Sequence, residues 1–496
     1  MRSLLALAAC SLLAIVPACA QKKVIVHGAP AAGETPPEED PEEEQPEETT
    51  DSPATNPLVI DLGEVQSGTD ATFEIPEGAL GFNIVAEGRI VDFDQEHPFG
   101  IQRITAPDGT VVHDNFTPNG GTNPTSIASF DVIAAASVPQ SENVPKDLAG
   151  KWKVRFGVYG STASKVKLKG KVRVQSSGDG TFHGGQLDLH LHVPDGLEIG
   201  GHKVDASKAA SDPAIKERVD TFFALTSELL GIEKGEVSFH EEGGAYQELD
   251  GVQELLDGFA ISKGADNGTQ ALHILMTNLI AQDGQPFAAG ISPGIPGAAT
   301  VFGRGVSGII VTTSEYAEQD VLTMLHEAGH FFGLNHTTEF DGQSADPLSD
   351  TPVCENISQN PNDLIECPDR TNVMFAAGAI DGPVTLSPTQ KRVYRGSPIY
   401  RAFTAESSGR TMSFVPSAPL SIKRTFRISG SSALSPVERE LSFGFCGLNP
   451  LDANGLVKRH GRDAAIAQLR AAAADRDLVP YIRGRANLAL RALGAQ

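Results

Sequence analysis

"LTMLHEAGHFFGLNH", Leu322 to His336, sets three histidines and a glutamate among large apolar residues. Thirteen histidines are shared among 496 residues, so three within eleven positions call for a chemical reason. The residues before them extend the pattern. "TSEYAEQDVLTMLHEAGHFF" reads as one helix from Thr313 to Phe332, with Val321, Leu322, Leu325, Ala328 and Phe332 as its apolar stripe. Thr312 and Glu315 have the spacing of a capping box at its start. His326 and His330, four residues apart, share a helix face and can reach one metal ion. Glu327 stands beside that ion without ligating it, where a carboxylate can take a proton from a metal-bound water and pass it on. Gly333 stops the helix, because glycine enters the left-handed turn at little cost. The chain then comes back and offers His336 as a third ligand. Three neutral imidazoles and one open position suit a catalytic zinc, not a closed structural one.

The run from His326 to His336 matches HExxHxxGxxH residue for residue and so resembles the metzincin clan of zinc metallopeptidases. A bare HExxH recurs by chance; the added glycine and third histidine make the signal specific. The clan also carries a methionine turn beneath the metal, and "TNVMF" offers Met374, 38 residues past His336. "SDTPVC", "NVM" and "LSPTQ" resemble the pappalysin-like branch of secreted bacterial proteases. The resemblance implies one Zn2+ held by His326, His330 and His336, with Glu327 as general base and acid and Met374 as hydrophobic floor. It also implies a protein or peptide substrate, held extended against an edge strand near Gly308 to Thr312. Some metzincins have a tyrosine two residues after the turn methionine. Ala376 stands there instead, so oxyanion support falls to another group.

Outside this segment the chain divides by composition. "MRSLLALAACSLLAIVPACA" (1–20) reads as an export signal, with Arg2 ahead of an apolar run too short to span a bilayer. "VPAC" resembles a bacterial lipobox that would lipidate Cys19, while "ACA" equally suits ordinary signal peptidase. Either way the product is exported, as a cell-envelope lipoprotein or a secreted protein, and any membrane anchor is N-terminal. Residues 21–57 form a Pro- and Glu-rich tether. Ten acidic and no basic side chains fall between Glu34 and Asp51, within a net charge of −24. An acidic chain without a basic stripe argues against nucleic-acid binding.

From 58 to 178, short alternating runs such as "KWKVRFGVYG" and "VKLKGKVRV", with the turn Pro107-Asp108-Gly109, predict a β-sandwich. "ITAPDGTVVHD" and "LAGKWKVRFGVYG" resemble the jelly-roll domains appended to secreted bacterial proteases, with Trp152 in a late strand. Residues 179–400 mix strands ("QLDLHLHV", "ALHILMTNLIA", "GIIVTTS") with the helix Ala214 to Gly231, which is the pattern of an α+β catalytic domain. The region 401–496 is first strand-like, then an Ala- and Leu-rich helical hairpin broken at Val479-Pro480.

Three smaller features complete the reading. His190 and His192 alternate onto one strand face, open to a second metal or, as the plainer reading, to solvent. Asp346 and Asp350 could bind Ca2+ or simply brace a loop. Cys354 and Cys367 are expected to pair as a disulfide, leaving Cys446 free. The rival to a zinc endopeptidase is a surface binding protein with a vestigial metal site. The intact Glu327 weighs against it.

Overall fold

The structure is a computed structural model that describes residues 54–405 and 453–474, with a few positions between 486 and 495. Within 54–405 it is interrupted chiefly at 91–98, 115–126, 159–165, 262–269, 299–307, 340–344, 355–365 and 379–382. The export signal with Cys19, most of the tether, Cys446 and Val479-Pro480 lie outside the described residues.

The alternating runs of the first half become two antiparallel sheets. One orders β2 (Leu58–Gln66), β10 (Val166–Ser176), β4 (Ala79–Ile90), β8 (Ile133–Val138) and β7 (Ile127–Phe130). The other orders β3 (Asp70–Ile75), β9 (Gly150–Val158), β5 (Phe99–Thr105) and β6 (Val111–Asp114). Their inward residues share one core, including Phe73, Phe82, Ile84, Trp152, Phe156 and Val172. Trp152 meets Phe82 edge-on at 4.9 Å, and its indole N–H donates to the Leu148 carbonyl. The Pro107-Asp108-Gly109 turn joins β5 to β6: Asp108 accepts from the Thr110 amide, and Gly109 takes φ +90°.

The second half is built on a mixed sheet. Its parallel strands run β14 (Ile232–Glu242), β11 (Gly185–Pro194), β16 (Leu272–Thr277) and β20 (Ile309–Thr312). The short β19 (Gly290–Ile291) lies antiparallel along β20. At the start of β11, β21 (Arg401–Phe403) pairs antiparallel and itself pairs with β1 (Ala54–Thr55). Ala54 and Thr55, near the end of the expected tether, are thus a strand. Smaller pieces are the hairpin β12 (Glu198–Ile199) and β13 (His202–Lys203), and a sheet of β15 (Glu248–Asp250), β17 (Leu279–Gln282) and β18 (Gln285–Ala288).

Two helices, α1 (Pro213–Leu230) and α3 (Ala317–Phe332), cover one face of the mixed sheet. Leu189, Leu191, Ile274 and Val311 meet Val219, Phe222, Leu325 and Ala328 there. On the other face α2 (Val252–Ala260) packs Leu255 and Phe259 over Leu275 and Ile310. The expected helix Ala214 to Gly231 is α1. Asp212 caps it by accepting from the Ala214 and Ile215 amides, and Gly231 ends it at φ +71°. A fourth helix, α4 (Pro388–Gly396), begins in a capping box of Ser387 and Gln390. In the C-terminal region α5 (Ala453–His460) and α6 (Arg462–Ala474) are described.

Two expectations need correction. The zinc-motif helix starts at Ala317, not Thr313, and the Thr312–Glu315 capping box does not form. Thr312 instead ends β20 and bonds the Ala289 carbonyl. The helix entry is held from inside the protein: Asp320 accepts from the Ser314 amide at 2.9 and 3.0 Å and pairs with Arg218 of α1 at 2.7 Å. Both side chains of that pair are 2% exposed. A buried ion pair between helices outcompetes a local cap. The other correction is that Ala271 to Ala281 is two strands. It breaks at Asn278, whose side chain bonds both backbone groups of Glu198 and the Thr313 hydroxyl.

The sandwich docks directly on this second unit. Gln175 of β10 donates to the Ser397 and Tyr400 carbonyls, and Arg392 of α4 donates to that of Pro145. Glu142 accepts from the amide and hydroxyl of Ser349.

Candidate active site

Helix α3 runs through the core and is buried along nearly its whole length. Its last two turns carry His326 and His330, 4% exposed each, with Glu327 at 7%. Gly333 caps it in the left-handed region at φ +118°, its amide bonding the Gly329 and His330 carbonyls. That reversal returns His336, 1% exposed, to the same point. The three Nε2 atoms form a triangle with every side 3.1 Å.

Each ring is fixed by its other nitrogen. His326 Nδ1 donates to the Val373 carbonyl at 2.7 Å and His330 Nδ1 to the Leu334 carbonyl at 2.7 Å. His336 Nδ1 meets the Glu339 carboxylate at 3.0 Å. Bonds of this kind select the tautomer whose Nε2 lone pair points inward. Burial, followed by the neighbouring His336, holds His326 down at about 3, and the same causes with His326 hold His330 well below its ordinary value. His326 and His330 are therefore neutral at physiological pH, as ligation requires. Three inward lone pairs in a buried triangle fit one zinc ion.

Met374 lies under α3 and is fully buried. A side chain at Gly329, between the two helix histidines, would run into Met374 Sδ and the Tyr394 hydroxyl. The turn is built by Asn372, whose Oδ1 accepts from the Met374 amide while its Nδ2 donates to Gln390. The Met374 carbonyl accepts from the Thr337 amide, which ties the turn to the residue after the third ligand. Ala376 is buried behind the turn.

The long segment between His336 and Met374 is tied down at several points among the described residues. Asp369 accepts from the Thr337 and Thr338 hydroxyls, and Cys354 is disulfide-bonded to Cys367 with a Cα separation of 5.1 Å. Asp346 and Asp350 serve local backbone: Asp346 accepts from the Leu348 amide and Thr351 hydroxyl, Asp350 from the Thr389 amide and Ser387 hydroxyl.

On the other side of Glu327 lies β19. A Cβ built on Gly290 would stand 2.6 Å from Glu327 Cγ, so only glycine lets the strand backbone come this close. β20 is interior, flanked by β16 and β19. The sheet edge beside Glu327, among the described residues, is β19 and not the expected Gly308 to Thr312.

Residues 300–394 match the family model described as pregnancy-associated plasma protein-A, a peptidase family. This segment is that of a metzincin-type metallopeptidase. No curated protein matches the chain. Among solved structures, metalloproteinase-II from Bacteroides fragilis is 15% identical, with 34% of this chain and 50% of that chain covered and a TM-score of 0.21. The chain thus spans half the length of that protein. A family two carbohydrate esterase from Cellvibrio japonicus is 7% identical, with 56% and 96% covered and a TM-score of 0.13.

Several partners of the metallopeptidase site escaped the sequence reading. Glu339 sits three residues after His336, a spacing that could have flagged it. The Val373 carbonyl and Gly290 gave no signal, since both act through backbone position. His190 and His192 are corrected outright. Their face is not solvent-exposed: the two are 3% and 1% exposed and meet His240 and His273.

Proposed function

We propose that the protein is a zinc-dependent endopeptidase. The observation that carries this reading is the triangle of Nε2 atoms, 3.1 Å on each side, with every outer nitrogen anchored and Glu327 beside it. His326, His330 and His336 would hold the zinc and Met374 would floor it. When bound, the ion supplies a Lewis acid that polarises the scissile carbonyl and acidifies water.

The chain's own residues do the rest. Glu327 takes a proton from the attacking water and returns it to the leaving amine. Its buried position keeps bulk water from competing for that proton. The peptide lies extended beside β19, whose Gly290 lets the strand backbone pack close against Glu327. Ala376 has no hydroxyl to offer, so support for charge on the carbonyl oxygen would have to come from the Lewis acidity of a bound ion.

Export belongs to the same reading, either as an envelope lipoprotein anchored through Cys19 or as a secreted enzyme. The short apolar run after Arg2 and the Cys354–Cys367 disulfide both support an oxidising compartment. Hydrolysis of denatured casein by the purified protein, with and without a zinc chelator and alongside metal analysis, tests the activity. Chelator-sensitive cleavage with bound zinc is expected. Cleavage indifferent to metal removal would refute the reading.

A further inference from the structure

On the sheet face turned away from α3, four imidazoles meet. The two-residue period of β11 sends Leu189, Leu191 and Val193 into the main core and His190 and His192 to the opposite side. Parallel register then sets His240 of β14 across from His192, and His273 of β16 across from His190. Ring centroids lie 4.6 to 5.3 Å apart. His190, His192 and His273 are at most 4% exposed, while His240 is only partly buried. The cluster is therefore closed on three sides and accessible along β14.

The rings meet in two nitrogen pairs. His192 Nε2 lies 3.0 Å from His273 Nδ1, and His240 Nε2 lies 3.0 Å from His190 Nδ1. These separations are close to the 3.1 Å of the active-site triangle. Glu242 adds a carboxylate: its Oε1 accepts from His192 Nδ1 at 2.8 Å, which leaves the Nε2 lone pair facing His273. A carboxylate behind one imidazole nitrogen, with the other nitrogen free to ligate, is the usual support of a metal-binding histidine. Burial first, then the neighbouring imidazoles, keep His240 at about 4 and lower His273 as well.

We propose that His190, His192, His240 and His273 form a second transition-metal site of zinc type, with Glu242 orienting His192. Among the described residues, the active-site triad already brings three ligand nitrogens within 4.8 Å, whereas this cluster does not. Holding one ion would require the rings to rotate so that their nitrogens converge.

The site is independent of the proposed peptidase activity and is tested by counting metal. Full-length protein is stripped, reloaded with Zn2+, desalted and measured by elemental analysis, with far-UV circular dichroism checking the fold. Two equivalents are expected in the native protein. One should remain in His326→Gln/His330→Gln, one in His192→Gln/His273→Gln, and none when all four are changed. Because changing two buried histidines can unfold the sheet, Glu242→Gln and His240→Gln serve as milder variants. Each should weaken the second equivalent about 10- to 100-fold against a competing chelator, leaving the first unchanged. A native protein with a single equivalent that His326→Gln/His330→Gln removes would overturn the site. So would a second equivalent unaffected by every change at the cluster.

Discussion

His326 Nδ1 donates to the backbone carbonyl of Val373 at 2.7 Å, so the first histidine of the triad is held by the residue immediately before Met374. One hydrogen bond thereby sets a ring's tautomer and fixes the distance between α3 and the turn. The Met374 carbonyl does the same for the far side of the site through the Thr337 amide. The methionine turn is thus a scaffold acting through its backbone, with the Met374 side chain filling the space that Gly329 leaves.

Glu339 is the only side chain among the three groups that anchor the outer nitrogens, and it can be changed without disturbing a ligand. Glu339→Gln should weaken zinc binding about 10- to 100-fold, the usual effect of losing such a partner. Competition against a chelator of known affinity measures it, and an unchanged affinity would show that Glu339 has no part in the site.

At Gly290 the fit to Glu327 is closer than any side chain allows. Gly290→Ala should displace the carboxylate by a fraction of an ångström or more, lowering turnover by up to about 100-fold while zinc stays bound. Steady-state kinetics with parallel metal analysis separates the two. Full activity would mean that β19 yields easily.

Asp346 is a pH-sensitive element of the same loop. Burial raises it to about 7 against the Thr351 bond that lowers it, and its Oδ2 is buried without a hydrogen-bond partner among the described residues. Between pH 4 and 7 the folded protein keeps this proton while the unfolded chain has lost it, so the group makes stability fall as pH rises through that window. Asp346→Asn should remove this contribution and be relatively more stable at pH 7 than at pH 4. Urea unfolding at the two pH values tests it, and equal effects at both would contradict the assignment.

The Cys354–Cys367 bridge closes a loop with a sequence separation of 13 inside the segment that links His336 to Met374. Replacing both cysteines by alanine should cost about 3 kcal/mol in the chain-entropy account. Denaturant unfolding of the variant measures it, and an unchanged midpoint would show the loop held by other means.

The convergence of His326, His330 and His336 was legible because ligation demands particular residue types at helical spacing, and Gly333 announces the turn that brings His336 back. The sandwich strands were legible through their alternation. What stayed hidden depends on distant partners. Nothing near Thr313 reveals that Asp320 pairs with Arg218, about a hundred residues away, and delays the helix to Ala317. His190 and His192 looked like a polar strand face because the register that buries them against His240 and His273 is a property of three strands together. Gly290 acts by having no side chain, which a sequence pattern cannot distinguish from an ordinary turn glycine.

In the proposed endopeptidase, Glu327 moves the proton while the three histidines hold the metal. The most direct test is the turnover of Glu327→Ala on a peptide substrate, with its zinc content measured on the same sample. Zinc should remain at the native level and turnover should fall at least ~100-fold, the scale of losing a general base. Native-like turnover at full zinc occupancy would contradict the account.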